Sequence, residues 1–117
     1  MLKHAHPEFP SDAFIVLATV GTKINIMSTQ GLKQQVDFDQ FWQTDMRSQI
    51  IVSLTLPPLS KDHVIRTFKV MPRSSHAHAY INAGFCAQID QNDSKRVLQK
   101  PTIIFGGINP SFVSSIQ

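Results

Sequence analysis

The residue types best suited to chemistry in this sequence are two histidine pairs and one cysteine. His4 and His6, like His76 and His78, are two residues apart, which on a strand places both rings on one face. A metal site needs a third ligand, and no HExxH or CxxC pattern supplies it, so we expect surface or loop histidines. Cys86 is eight residues from the nearest histidine, so we expect a small packed side chain rather than a nucleophilic thiol.

A lysine and an arginine near the middle of the chain are more informative. Lys69 shares one face of a predicted strand with three other side chains, Ile65, Thr67 and Met71. A cation is unfavourable there unless it meets an anion or a polar ligand, although its ammonium could also reach solvent from the strand end. Arg73 follows four residues later in a predicted loop. Together the two cations could approach an electron-rich ligand.

The first half of the chain predicts one helix followed by strands. Ser11 or Asp12 can cap a helix over residues 13–20, which are nearly all apolar and predict a buried helix that stops at Gly21. Asp12 could contact a ligand instead, but capping is the favoured role. Residues 22–28 alternate as in a half-buried strand.

The next elements are a turn at 29–31, a short strand at 32–36 and one helical turn at 37–42 capped by Asp37. Residues 50–56 predict a strand in which Ile51 lies on the face opposite Leu54. Pro57 and Pro58 must end this strand, because proline cannot donate to a ladder.

The second half predicts antiparallel strands. Residues 64–71 and 79–89 alternate, and residues 97–105 are expected to return as a hairpin partner. In the second strand the alternation places Cys86 on a polar face, opposite a set of alanine, isoleucine and phenylalanine side chains. Gly106-Gly107 lacks the spacing of a phosphate-binding loop. The fold class that these elements indicate is α+β.

Composition limits the possibilities further. The 117 residues allow one domain or pieces of two, and 42% hydrophobic against 16% charged residues excludes disorder and coiled coil. The net charge of +3 is spread along the chain, so we expect no nucleic-acid partner. The apolar run at 14–20 is too short for a membrane span, and the N-terminus resembles no secretory signal. A single cysteine fits the cytoplasm. The residues alone name no reaction.

Several linked motifs nevertheless resemble one family. They are MLKHAHPEFPSD followed by an apolar helix and VGTKINI, then IIVSLTLPPL, RTFKVMPRSSHAHAYINAGF and KPTIIFGGINP. In this order they resemble the flavin domain of molybdo-flavoenzymes, the aldehyde oxidases and xanthine dehydrogenases, and they are most similar to insect-type aldehyde oxidases. The resemblance runs over essentially the whole chain.

The resemblance implies a fold and a site. Residues 1–60 would be the C-terminal part of a two-lobed, PCMH-type FAD-binding domain. Residues 61–117 would begin the antiparallel sheet of the CO dehydrogenase flavoprotein-like C-terminal domain. By position in the family's motifs, the residues implied to bind FAD are Asp12, Ile51, Lys69 and Arg73. No residue is implied to be catalytic.

The resemblance also implies missing parts. The family's Gly-rich loop for the FAD pyrophosphate is absent, and one cysteine cannot build a [2Fe–2S] cluster. We therefore expect a fragment, inactive alone, of a homodimeric enzyme whose other domains carry [2Fe–2S] clusters and molybdopterin. Residues 41–47 lack the tyrosine pattern of NAD-linked dehydrogenases, which favours an oxidase that passes electrons to O2. The alternatives are a fragment of xanthine dehydrogenase, with electrons passing to NAD, and a non-catalytic interaction module.

Overall fold

The computed structural model describes residues 11–74, 76–93 and 96–108, together with the backbone of 113–114. The predicted histidine pair His4 and His6 lies outside these residues. In chain order the elements are α1 (Asp12–Thr19), β1 (Lys23–Ser28), β2 (Lys33–Val36), α2 (Phe38–Gln43), β3 (Gln49–Thr55), β4 (His63–Val70), β5 (Ile81–Gln88), β6 (Thr102–Gly106) and β7 (Val113–Ser114). No helix in the described part of the chain is long and apolar enough to cross a membrane.

Contacts divide the chain into two compact units. The split unit comprises Met1–Val20 and Leu59–Gln117, and the inserted unit comprises Gly21–Pro58. The split unit thus joins α1 to strands that follow it by more than forty residues. The domain boundary predicted between residues 60 and 61 rests on the family resemblance, and it stays a prediction.

The α1 helix begins the described part of the split unit. Its N-cap is Ser11, whose hydroxyl accepts a hydrogen bond from the backbone amide of Phe14. Asp12 is therefore the first helical residue, and the favoured capping role for it is wrong. The expectation of a buried helix is met on one face only, because Val16 is 44% exposed. The side chains that α1 buries are Ile15, Ala18 and Thr19.

The strands of the split unit form one antiparallel sheet in the order β4-β5-β6-β7. This confirms the predicted antiparallel pairing in the second half of the chain. The return strand is shorter than predicted, because Val97 makes only an isolated bridge with Ile89 and β6 begins after Pro101. Pro101 has no amide proton to give to a ladder.

The face of β5 that α1 covers is the one the sequence marks as polar. Asn82, Gly84 and Cys86 lie on this face and are all buried. Gly84 permits the close approach of the helix: a Cβ there would overlap the Thr19 hydroxyl and lie 3.1 Å from Ile15 Cγ2. Small side chains, rather than apolar ones, therefore mark the helix-packing face of this strand.

The opposite face of the same sheet carries a cluster of phenylalanine side chains. Phe85 meets Phe68 and Phe105 edge to face, with ring centroids 5.6 and 5.9 Å apart. Phe68 is still 60% exposed and Val70 is 59% exposed. The helix of the split unit, α1, packs on the other face.

The inserted unit is a second antiparallel sheet, in the order β2-β1-β3, with the short helix α2. Ile24 and Ile26 of β1 are 2% and 1% exposed and form its centre. Asp37 caps α2 in a reciprocal capping box with Gln40, which confirms the predicted cap. The other buried apolar side chains of this unit are Val36, Phe38, Phe41 and Met46.

A β-bulge in β3 changes which face Ile51 occupies. Asn25 pairs with Ser53, whereas the next residue, Ile26, pairs with Ile51, so Val52 is the extra residue on β3. The bulge places Ile51 on the same face as Leu54, which pairs with Ile24. The prediction that these two β3 residues lie on opposite faces is therefore wrong, because strict alternation does not survive an inserted residue.

Candidate functional site

A cleft of about 240 Å³ lies in the split unit, beside the N-terminus of α1. One turn of α1 supplies its apolar wall, and neighbouring residues of β4 and β5 supply its polar side chains. The lining residues that matter for its chemistry are Asp12, Ile15, Val16, Thr67, Lys69 and Asn82.

Two of the residues that the family resemblance selects meet in this cleft. Lys69 Nζ donates to Asp12 Oδ2 at 2.7 Å, across 57 residues of sequence. Asn82 Nδ2 donates to the other carboxylate oxygen, Oδ1, at 2.9 Å. Asn82 is also the cross-strand partner of Lys69 in the β4–β5 ladder, so both donors project from the same face. The anion that Lys69 requires on this face is Asp12.

These contacts set the charge state of Asp12. Burial raises the pKa of the Asp12 carboxyl, but hydrogen bonds from Lys69 and Asn82, with the charges of Lys69 and His78, together lower it below its ordinary value of 3.8. The carboxylate therefore stays ionised at neutral pH and is a poor general base. Its role is that of a fixed counter-ion for the ammonium beside it.

The cleft suits one end of a flat, electron-rich ligand. Ile15 and Val16 offer an apolar surface, and the Lys69 ammonium and Thr67 hydroxyl offer hydrogen-bond donors. A volume near 240 Å³ is below the roughly 300–1,000 Å³ of pockets that enclose whole drug-sized ligands. An apolar wall beside two hydrogen-bond donors is compatible with part of a flavin ring.

The structure does not bring the other two predicted contacts into this cleft. Ile51 lies on the edge strand β3 of the inserted unit and is 45% exposed. Arg73 lies in the loop after β4, where its guanidinium donates to the carbonyl of His76 at 2.7 Å. Their predicted roles stay predictions.

The remaining reactive side chains, two histidines and one cysteine, do not line this cleft. His76 and His78 lie in the loop before β5, and His76 has a positive φ of 50°, so the two rings do not share a strand face. Within 11–74, 76–93 and 96–108, no three metal-ligating side chains come together. Cys86 is 9% exposed, which confirms a packed side chain, and burial raises the pKa of its thiol.

Sequence analysis did not single out Asn82. Strand alternation puts Asn82 on the same face as Cys86, and only the register that sets it opposite Lys69 reveals its contact with Asp12. A buried asparagine is one available signal, because a buried amide must find hydrogen-bond partners. Burial could not be inferred while that face was interpreted as polar.

Curated aldehyde oxidases resemble this chain in sequence. No family model matches the chain. Human aldehyde oxidase is 26% identical over 113 residues, which cover 92% of this chain. Aldehyde oxidase 1 of Cavia porcellus is 27% identical over 109 residues, or 88% of this chain. The chain spans 8% of the length of each of these relatives.

Solved structures share the fold. CO dehydrogenase from Oligotropha carboxidovorans superposes with a TM-score of 0.77 at 10% identity, over 97% of this chain and 39% of that one. Quinoline 2-oxidoreductase from Pseudomonas putida 86 gives 0.72 at 17% identity, over 94% and 38%. CO dehydrogenase from Hydrogenophaga pseudoflava, in a form lacking the pyranopterin moiety of its molybdenum cofactor, gives 0.75 at 13%, over 96% and 39%. These findings confirm the resemblance and the mixed helix and antiparallel-sheet fold.

Proposed function

We propose that this chain is a segment of the FAD-binding region of an aldehyde oxidase-like molybdo-flavoenzyme. In that enzyme an aldehyde is oxidised to a carboxylic acid at molybdenum, and electrons pass through [2Fe–2S] clusters to FAD. The partners of the segment are the iron–sulfur and molybdenum domains, within a homodimer. The observation that carries the proposal is the ion pair of Asp12 with Lys69, two positions that the family resemblance had selected independently.

Each site residue has a distinct part in this proposal. FAD, when bound, supplies the chemistry of accepting electrons and passing them on. Lys69 would hold the ring through a hydrogen bond from its ammonium and would stabilise negative charge on it, while Asp12 holds the ammonium in place. Ile51 offers an exposed apolar side chain for contact with the ring. Arg73 lies in a loop that we place beside the flavin.

The Gly106-Gly107 pair supports the expectation that FAD is held weakly by this segment. Gly107 has a φ of +86°, and a Cβ there would overlap the carbonyl oxygen of Tyr80. Close packing against this neighbouring backbone explains the glycine without a phosphate ligand. By itself the segment is proposed to bind the flavin ring but to turn over no aldehyde.

O2 is our proposed electron acceptor. The support is the stretch 41–47, which lacks the tyrosine pattern of the NAD-linked enzymes. Xanthine dehydrogenase, with NAD as acceptor, is the second candidate, because the motifs that carry the resemblance are shared by both enzymes. A non-catalytic interaction module is the third, and the exposed phenylalanine and valine of β4 favour it.

Flavin binding by the full 117-residue chain tests the proposal. We expect lumiflavin, which is the ring without phosphates, to bind with a Kd on the order of 0.1 mM, followed by fluorescence quenching. FAD should bind no more tightly, because Gly106-Gly107 lacks the spacing of a phosphate-binding loop. Lys69→Met should weaken lumiflavin binding about tenfold, since a hydrogen bond from a charged donor is lost.

Lys61→Met is the matched control, because Lys61 is an exposed lysine of the same unit and does not line the cleft. It should leave the affinity unchanged. Absence of lumiflavin binding, or equal losses in the two variants, would contradict the proposal. Reduction of bound flavin by added aldehyde would contradict the inactivity of the segment alone.

A further inference from the structure

Asn82 is a buried amide with a fixed position. Its side chain is 2% exposed, and it lies on β5 under the N-terminal turn of α1. Removing an amide from water is unfavourable unless hydrogen bonds replace the lost water. The Nδ2 bond to Asp12 Oδ1 at 2.9 Å supplies one of them. Burial and this bond together restrict the orientations open to the side chain.

Lys69 is the opposite kind of donor. Its ammonium ends a long, flexible stem, and 31% of its side chain is exposed. Asp12 is 53% exposed and stands on the first turn of a helix, where little packing restrains a short carboxylate. An exposed ion pair of this kind does not by itself hold one geometry, because two mobile side chains must be ordered. A third, rigid group is needed to fix the carboxylate.

The two carboxylate oxygens divide the donors between them. Asn82 occupies Oδ1 and Lys69 occupies Oδ2. The bond from Asn82 to one oxygen therefore orients the carboxylate so that the other oxygen faces the Lys69 ammonium in the cleft. Gly84, two residues further along β5, allows α1 to approach closely enough for this contact.

We propose that Asn82 is the positioning residue of the cleft, which fixes the Asp12 carboxylate so that Lys69 presents its ammonium to the ligand. For the identity of that ligand the inference rests on the flavin assignment above. Asn82 itself contributes no bond to the ligand in this proposal. It acts through Asp12, so its loss should change both the pKa of the Asp12 carboxyl and the affinity for the ring.

NMR titration of the full chain with ¹³C-labelled aspartate tests this role, in parallel with lumiflavin binding. In Asn82→Ala the pKa of Asp12 should rise, because a hydrogen bond to its charged form is lost. Lumiflavin affinity should fall about tenfold. Cys86→Ala is the matched control: it truncates a buried side chain on the same face of the same strand, outside the cleft. It should change neither quantity.

An unchanged Asp12 titration in Asn82→Ala, or the same rise in Cys86→Ala, overturns the inference. If Asn82→Ala does not fold, the wild-type chain gives the answer: the Asn82 amide proton resonances should shift as Asp12 titrates and lose that shift in Asp12→Asn. A missing shift in the wild type overturns the inference equally. If Asp12 responds as expected but lumiflavin does not bind the wild type, the positioning role stands and the flavin assignment fails.

Discussion

The inner strands of the two sheets, β5 and β1, bury their side chains in opposite ways. In the split unit, the β5 face that α1 covers is built from asparagine, glycine and cysteine, and the phenylalanine of β5 lies on the other face. In the inserted unit, the isoleucines of β1 form the centre, while the bulged edge strand β3 leaves its apolar side chains 41–54% exposed. Apolar character therefore identifies the buried face of β1 and misidentifies the helix-packing face of β5. The difference comes from how closely a helix must approach.

Truncation of a β1 isoleucine should give the largest loss of stability. It tests the difference in burial between β1 and β3 of the inserted unit. Ile26→Ala removes a side chain that is 1% exposed and should lower the free energy of unfolding by about 3 kcal/mol. Ile50→Ala on β3, at 54% exposed, should cost less than about 1 kcal/mol. Urea denaturation of both variants provides the measurement. Equal losses would mean that β3 is covered in the chain as it exists in solution.

A methyl group added to β5 tests how closely α1 packs on this strand in the split unit. Gly84→Ala should destabilise the chain by about 2 kcal/mol, since the new Cβ meets Thr19 of α1. The double variant Thr19→Ala/Gly84→Ala should recover part of this loss. Gly31→Ala, where the added Cβ has open space but φ is +80°, should cost about 1 kcal/mol from backbone strain alone. Thermal unfolding of these variants measures the losses of stability. An unchanged stability in Gly84→Ala would contradict the close packing of α1 on β5.

The smallest effect is the pH dependence of the ion pair between Asp12 and Lys69 in the split unit. Because the pKa of Asp12 is lowered on folding, its stabilisation is present above the unfolded value near 3.8 and is lost as the pH falls through the folded value. Asp12→Asn should therefore cost about 0.5–1 kcal/mol at pH 6 and almost nothing at pH 2. Urea midpoints at the two pH values measure it. Asp39→Asn, an exposed carboxylate in the first turn of α2, is the control. A loss that persists unchanged at pH 2 would rule out the ionic contribution.

Local signals in the sequence were enough for most elements of both sheets. The caps at Ser11 and Asp37, the stop at Gly21 and the alternation of β4 and β5 predicted helices and strands correctly. These features depend on neighbouring residues alone. The extra residue at Val52 was not predicted, because a bulge depends on the partner strand rather than on the bulged one.

The candidate site could be predicted only in part, because some of its features depend on neighbouring residues and others on packing and register. An isolated cation on a half-apolar face pointed to Lys69, and the family resemblance added Asp12. The partnership of the two was not accessible, because it requires the packing of α1 on β5 across 57 residues. Asn82 was missed because its importance lies in register, which turn length and pairing determine together.

The contact between Thr19 and Gly84 has a consequence for how related sequences diverge. The Thr19 hydroxyl donates to the Ile15 carbonyl at 2.7 Å, so its oxygen is held directly over the strand, where a β5 side chain would otherwise project. A substitution at either position therefore restricts the other. In descendants of this gene the two positions should covary: wherever residue 84 gains a side chain, residue 19 should shrink to alanine or glycine. A lineage that acquired alanine at 84 first would have to pass through a less stable intermediate, so loss of the Thr19 hydroxyl is expected to precede it.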